Sequence, residues 1–122
     1  MTANSFGTIL RGAVEKTPRA IGGAFAAYDG EMVDAFVTTD PLEWAILTAH
    51  YGVVLANIES MLATLHFGGA QMVVFEHETC DVLVGPVSAG YYALLAVRQP
   101  AALAIAMHAL REAVTELRRE MT

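Results

Sequence analysis

Apolar positions recur along this chain in two periods, one helical and one extended. Phe6, Ile9, Leu10, Ala13 and Val14 fall at helical spacing behind Ser5, a residue able to cap. A helix is expected over 5–16, ended by Thr17-Pro18, because the residue before proline avoids the helical region. Ala20 to Tyr28 is an apolar run with two glycines, and reads as a strand. Asp29-Gly30 then signals a two-residue hairpin, in which both turn positions want positive φ. Glu31 to Val37 is the return strand. In Thr38-Thr39-Asp40-Pro41, Asp40 caps free amides and Pro41 fits the first turn. That helix is expected to run to His66, where Gly68-Gly69 stops it. Ala70–Glu78, Val82–Val87 and Tyr91–Val97 read as strands, separated by turns at Thr79-Cys80-Asp81 and Ser88-Ala89-Gly90. Pro100 opens a final helix to Glu120, with Leu103, Met107, Leu110, Val114, Leu117 and Met121 on one stripe.

The order is αββαβββα, an α+β pattern in one domain spanning 1–122. The first, fourth and fifth strands are apolar at consecutive positions, which predicts a sheet covered on both faces.

The middle helix, 41–66, carries two apolar stripes. Trp44, Leu47, Tyr51, Val54, Ile58, Leu62 and Leu65 make a broad one. Leu42, Ala45, Ala49, Val53, Ala56 and Ala63 make a second, mostly small, with Gly52 beside it. A helix apolar on two sides packs on its own sheet and also meets something else. The strand Ala70–Glu78 has neither Lys nor Pro, the usual guards of an exposed edge, and so invites pairing with its own copy. The expected seam of a two-fold dimer is Ala45, Ala49, Gly52, Val53, Ala56 and Ala63 on the helix, with Met72, Val74 and Glu76 on the strand. Glu43, His50, Asn57 and Thr64 form a polar strip at heptad spacing beside it. With Glu59, these are the expected contacts for a further partner, although each alone could simply solvate the helix.

Composition sharpens this picture. Hydrophobic residues make up 55% of the chain and charged residues only 16%, which excludes disorder. So much apolar sequence in so small a domain leaves apolar surface that needs a partner, a membrane or a ligand. Uncharged stretches at Trp44–Ile58 and Val82–Val97 fall short of the roughly 20 residues of a membrane span. No basic, apolar leader opens the sequence, and Cys80 is the sole cysteine, so a cytoplasmic protein is expected. The net charge of −6 argues against nucleic acid as a partner. All seven bases lie outside 20–97, and nine acids lie within it, which gives an acidic side and a mildly basic one.

Catalytic and ligand-binding chemistry finds little support. No phosphate-binding glycine loop of either common spacing occurs. Glu76, His77, Glu78, Cys80 and Asp81 are the densest group of metal-ligand types, but one hairpin tip lacks the separated pairs of a structural zinc site. Cys80 and His77 are close in sequence, but they lie at an expected turn with no cleft. Lone helical histidines (His50, His66, His108) read as packing or surface residues. No catalytic residue, cofactor or metal is expected. A small-molecule pocket lined by Trp44, Tyr51 and Phe25 is the competing possibility, and would make the domain a sensory module.

The strand Gly22-Gly23-Ala24-Phe25-Ala26 runs into Tyr28-Asp29-Gly30-Glu31-Met32-Val33, and a long Ala-rich helix follows. With Tyr91-Tyr92-Ala93-Leu94-Leu95-Ala96-Val97 and a last helix, this arrangement resembles the roadblock/dynein light chain domain over essentially the whole chain. The resemblance implies a five-stranded antiparallel sheet of order 2-1-5-4-3. Two terminal helices would cover one face and the central helix the other. It implies dimers, with itself or another roadblock protein, through the third strand and the central helix. It also implies a non-enzymatic role with small Ras-like GTPases of the MglA type or their adaptors, in bacterial polarity and motility. The chain departs from a strong GTPase binder in having only Glu43 and Glu59 as charges on that helix.

Overall fold

Residues 5–121 are described by the structure, a computed structural model. The elements are α1 (Ser5–Lys16), β1 (Ala20–Ala27), β2 (Met32–Val37), α2 (Pro41–Leu62), β3 (Val73–Glu76), β4 (Cys80–Ser88), β5 (Tyr91–Arg98) and α3 (Leu103–Glu120). The strands form one antiparallel sheet of order β2-β1-β5-β4-β3, the order expected.

The three inner strands are buried on both faces because alternate residues feed two separate cores. Phe25, Leu83, Val87, Ala93, Leu95 and Val97 pack under α1 and α3. Ala24, Ala26, Val82, Val84, Tyr92, Leu94 and Ala96 pack under α2. On the α2 side β1 presents small residues, so the helix can come close. A Cβ on Gly22 would lie 3.2 Å from the Trp44 ring.

Element ends depart from the sequence pattern where side chains intervene. Asp29-Gly30 is not a two-residue hairpin. Gly30 alone has positive φ there, and the loop spans Tyr28 to Glu31, closed by Gly30 N–H to Ala27 O and by Asp29 Oδ1 accepting from Glu31 N–H. Asp40 accepts from Leu42 N–H at the start of α2, as its type suggests. That helix stops at Leu62 rather than His66, because residues 63–69 are all exposed and have nothing to pack on. Thr64 and Leu65 close tighter turns instead, and the Thr64 hydroxyl donates to Met61 O.

β3 spans only Val73–Glu76, shorter than the expected 70–78. Cys80 and Asp81 belong to β4 and not to a turn, since Cys80 accepts from His77 N–H and continues the ladder. α3 begins at Leu103, not at Pro100. Gln99 is held to the β3–β4 turn through Thr79 O, His77 O and Asp81 Oδ1, so the chain there cannot yet coil.

Candidate functional site

α2 sits on the sheet through a narrow line of residues: Trp44, Thr48, Gly52 and Leu55 are its buried positions. Gly52 is where the sheet comes nearest. The Tyr92 hydroxyl donates to Thr48 O at 2.6 Å beside it, and a Cβ on Gly52 would lie 2.6 Å from that oxygen. Burial pushes the Tyr92 hydroxyl up to about 12. At one flank Tyr51 packs on Phe75 of β3 and is hydrogen-bonded to His77 Nε2. Burial, then the neighbouring Cys80, raise the Tyr51 hydroxyl above its ordinary value.

The opposite side of α2 faces outward and is apolar. Leu42 is 70% exposed, Ile46 53% and Met61 71%, with Val53 and Val54 also exposed. At 22 residues, α2 is long and apolar enough to cross a membrane by length and composition, but here it lies along a sheet. Past its end, Leu65 and Phe67 extend the apolar surface, Phe67 being 91% exposed.

The expected seam residues divide. Val53 and Ala63 are exposed, and Ala45, Ala49 and Ala56 flank the outer face half-buried. Gly52 does not belong to the seam, because the Tyr92 hydroxyl takes up the space beside it within the same chain. Met72 and Val74 turn toward the core beneath α1 and α3, whereas Val73 and Phe75 turn toward α2. Glu76 is exposed at the end of β3.

Among the polar positions, Glu43, His50 and Asn57 are exposed on the outer face, and Thr64 is exposed beyond the helix. Glu59 is not on that strip. It lies half-buried over Gly69, and a Cβ there would be 2.9 Å from its Oε2. Burial, then the charge of Glu59, raise the Tyr28 hydroxyl.

Of the broad apolar stripe, Trp44 is buried, whereas Val54 and Leu65 are exposed. The period alone could not centre the wheel. The smallness of Gly52, one turn after Thr48, was the signal for where the sheet lies closest. The three-aromatic pocket does not form. Trp44 and Tyr51 belong to the α2 side, whereas Phe25 faces the other side of the sheet, 5.1 Å from Phe6. Among the described residues, no group of three or more His, Cys, Asp or Glu side chains could hold a metal ion.

β3 forms one edge of the sheet, paired on one side only, with β4. The Tyr51 flank of α2 therefore borders this open strand edge through the Tyr51–Phe75 contact, whereas Ala49 on the other flank lies beside Gly30 of the β1–β2 loop.

The sequence matches no protein-family model and no curated protein. The fold is well matched by solved structures. Myxococcus xanthus MglB superposes with a TM-score of 0.88 at 9% identity, covering 99% of this chain and 98% of that one. A roadblock/LC7 domain from Streptomyces avermitilis gives 0.84 at 16% identity, covering 93% and 95%. MglC from Myxococcus xanthus gives 0.72 at 23% identity, covering 95% and 98%. At these identities the likeness is one of architecture, and it agrees with the strand order and helix placement above: the chain has the fold of the roadblock/LC7 domain.

Proposed function

We propose that this chain is a dimeric, non-enzymatic regulator or adaptor in a bacterial small Ras-like GTPase pathway, acting in the cytoplasm through protein–protein contacts. One observation carries the dimer in this proposal: the Tyr51 flank of α2, next to its apolar outer face, adjoins the open edge of β3. An edge strand without Lys or Pro pairs readily with another strand. Two-fold pairing of β3 brings the Tyr51 flanks of the two α2 helices side by side, covers the exposed Val54 and Met61, and reaches Ile46. The small residues Ala45, Ala49 and Ala56 lie on the other flank, where Ala49 is beside Gly30 of the β1–β2 loop, so the helices approach through the Tyr51 flank, while Glu43, His50 and Asn57 border the seam and remain open to a further protein. The likeness to MglB and MglC supports a role beside a GTPase or beside a second roadblock protein, and one solved MglB is described as a tetrameric arrangement.

Sedimentation at micromolar concentration tests the first half. Twice the 13.0-kDa chain mass is expected, and Ile46→Glu should shift it to the single mass without loss of helical circular dichroism. A monomeric wild type sinks the dimer. Pull-down with a Ras-like GTPase from the same host, in both nucleotide states, tests the second half together with a hydrolysis assay. Absence of both binding and a rate change sinks the GTPase role.

A further inference from the structure

Beside the open edge, on the sheet face opposite α2, a groove of about 300 Å3 runs between α3 and the approach to β3. Ala70, Gln71, Met72 and Pro86 form one wall, and Arg111, Val114, Thr115 and Arg118 the other. The two arginines stand seven residues apart on one stripe of α3, and no acid lines the groove. Two other bases meet acids, Arg11 with Glu15 at 2.9 Å and Lys16 with Glu112 at 3.4 Å, whereas Arg19 donates to Gln99 O. Neither Arg111 nor Arg118 has a carboxylate partner among the described residues. Arg118 is fixed at the groove wall, because its Nε donates to Val87 O at 2.6 Å. The groove is thus a positively charged slot in a protein of net charge −6.

We infer that this slot receives the Glu76 carboxylate of a second copy of the chain, and that the pair sets the register of the β3 edges. The inference rests on the β3-paired dimer proposed above.

The ladder supplies the geometry. His77 N–H bonds to Cys80 O on β4, and the register pairs Phe75 with Val82 and Val73 with Val84. Odd positions of β3 therefore spend their backbone groups on β4. The N–H and C=O groups of Met72, Val74 and Glu76 point to the open edge. A two-fold axis through Val74 pairs all three with the copy's strand and sets Met72 opposite the copy's Glu76.

Residues directly opposite each other across antiparallel strands share a face, with Cβ atoms about 5 Å apart. Met72 and Val74 face the core under α1 and α3, so the copy's Glu76 enters on that side, beside the groove that Met72 lines. Slipping the axis to Val73 moves the copy's Glu76 opposite Ala70. Slipping it to Phe75 sets the copy's Glu78 opposite Met72. Each register that keeps the faces matched delivers a carboxylate to the arginines, and the Val74 register uses the most edge groups. The segregation of acids in the middle of the sequence and bases near its ends thereby acquires a spatial reason. The acids at the end of β3 and the bases of α3 meet across the two-fold axis.

A charge swap tests the inference by sedimentation. Glu76→Arg and Arg111→Glu each place like charges in both grooves of the dimer. Each should raise the dimer dissociation constant by at least about tenfold. Both side chains are exposed in the single chain, so circular dichroism should match the wild type. Mixing the two variants restores an opposite pair in each groove, and the mixed dimer should form with near wild-type affinity. A wild-type dimer whose single variants associate unchanged, or whose mixture fails to recover, overturns the slot and leaves the dimer standing. A monomeric wild type overturns both.

Discussion

The Tyr92 hydroxyl on β5 donates to the Thr48 carbonyl on α2 at 2.6 Å, and Gly52 leaves the room that this bond needs. The pair ties the central helix to the middle of the sheet. Gly52→Ala should expose the closeness of that contact. Alanine gains about 1 kcal/mol of helix propensity over glycine. Its methyl group, however, would lie 2.6 Å from a buried hydroxyl, and overpacking of this kind costs about 1–3 kcal/mol. Urea unfolding should show a net loss of about 1–2 kcal/mol. A gain in stability would mean that α2 has room to lift at that point.

Tyr92→Phe separates the bond from the ring. Losing the hydroxyl should cost about 1 kcal/mol near neutral pH, since Thr48 O keeps its helical position. The pH dependence has a definite sign. Tyr92 holds its proton up to about 12 in the folded chain, against an ordinary value of 10.0. Its contribution is complete below the unfolded value and is lost as pH rises through the folded one. Wild-type stability should fall across that window more steeply than that of Tyr92→Phe, and parallel curves would contradict the assignment.

Thr48→Val should be neutral or stabilising, by up to about 1 kcal/mol. The Thr48 hydroxyl is buried without a hydrogen-bond partner, as is Trp44 Nε1 one turn earlier. Removing an orphaned buried hydroxyl relieves its desolvation cost. A loss above about 1 kcal/mol in thermal or urea unfolding would show that the hydroxyl has a partner in solution.

The two sides of α2 should answer truncation differently. Leu55→Ala empties a fully buried site and should cost about 2–4 kcal/mol. Ile46→Ala removes an exposed side chain and should leave the unfolding of the dissociated chain nearly unchanged, while weakening association. Unfolding followed at several protein concentrations separates the two effects. Equal losses for both variants at high dilution would place Ile46 in the core.

The two-faced sheet was legible because apolar residues crowd β1, β4 and β5 without alternation, whereas the strand order followed only from the resemblance to the roadblock domain. Asp40-Pro41 marked the start of α2 through chemistry local to the cap. The ends were less legible, because partners distant in sequence decide them. Gln99 delays α3 by bonding to a turn some 20 residues earlier. The open surface beyond Leu62 ends α2 early. The outward face of α2 was the hardest part. Two apolar stripes of similar strength leave the choice of inner face to one small residue, Gly52, and to the tyrosine that faces it. Glu59 was placed with the polar strip by its type, but its half-buried position over Gly69 depends on how the following loop folds back.

Only Trp44, Thr48, Gly52 and Leu55 bury α2, whereas α3 buries six residues along a shorter length. A helix so lightly seated detaches at a lower opening free energy than the strands beneath it, and its amides exchange with solvent first. Anything that binds the seated form adds its binding energy to that opening cost. Exchange protection along 41–62 should therefore rise with protein concentration, while β1, β4 and β5 keep theirs. The helix then reports in its own amides how much of the chain has found a second copy.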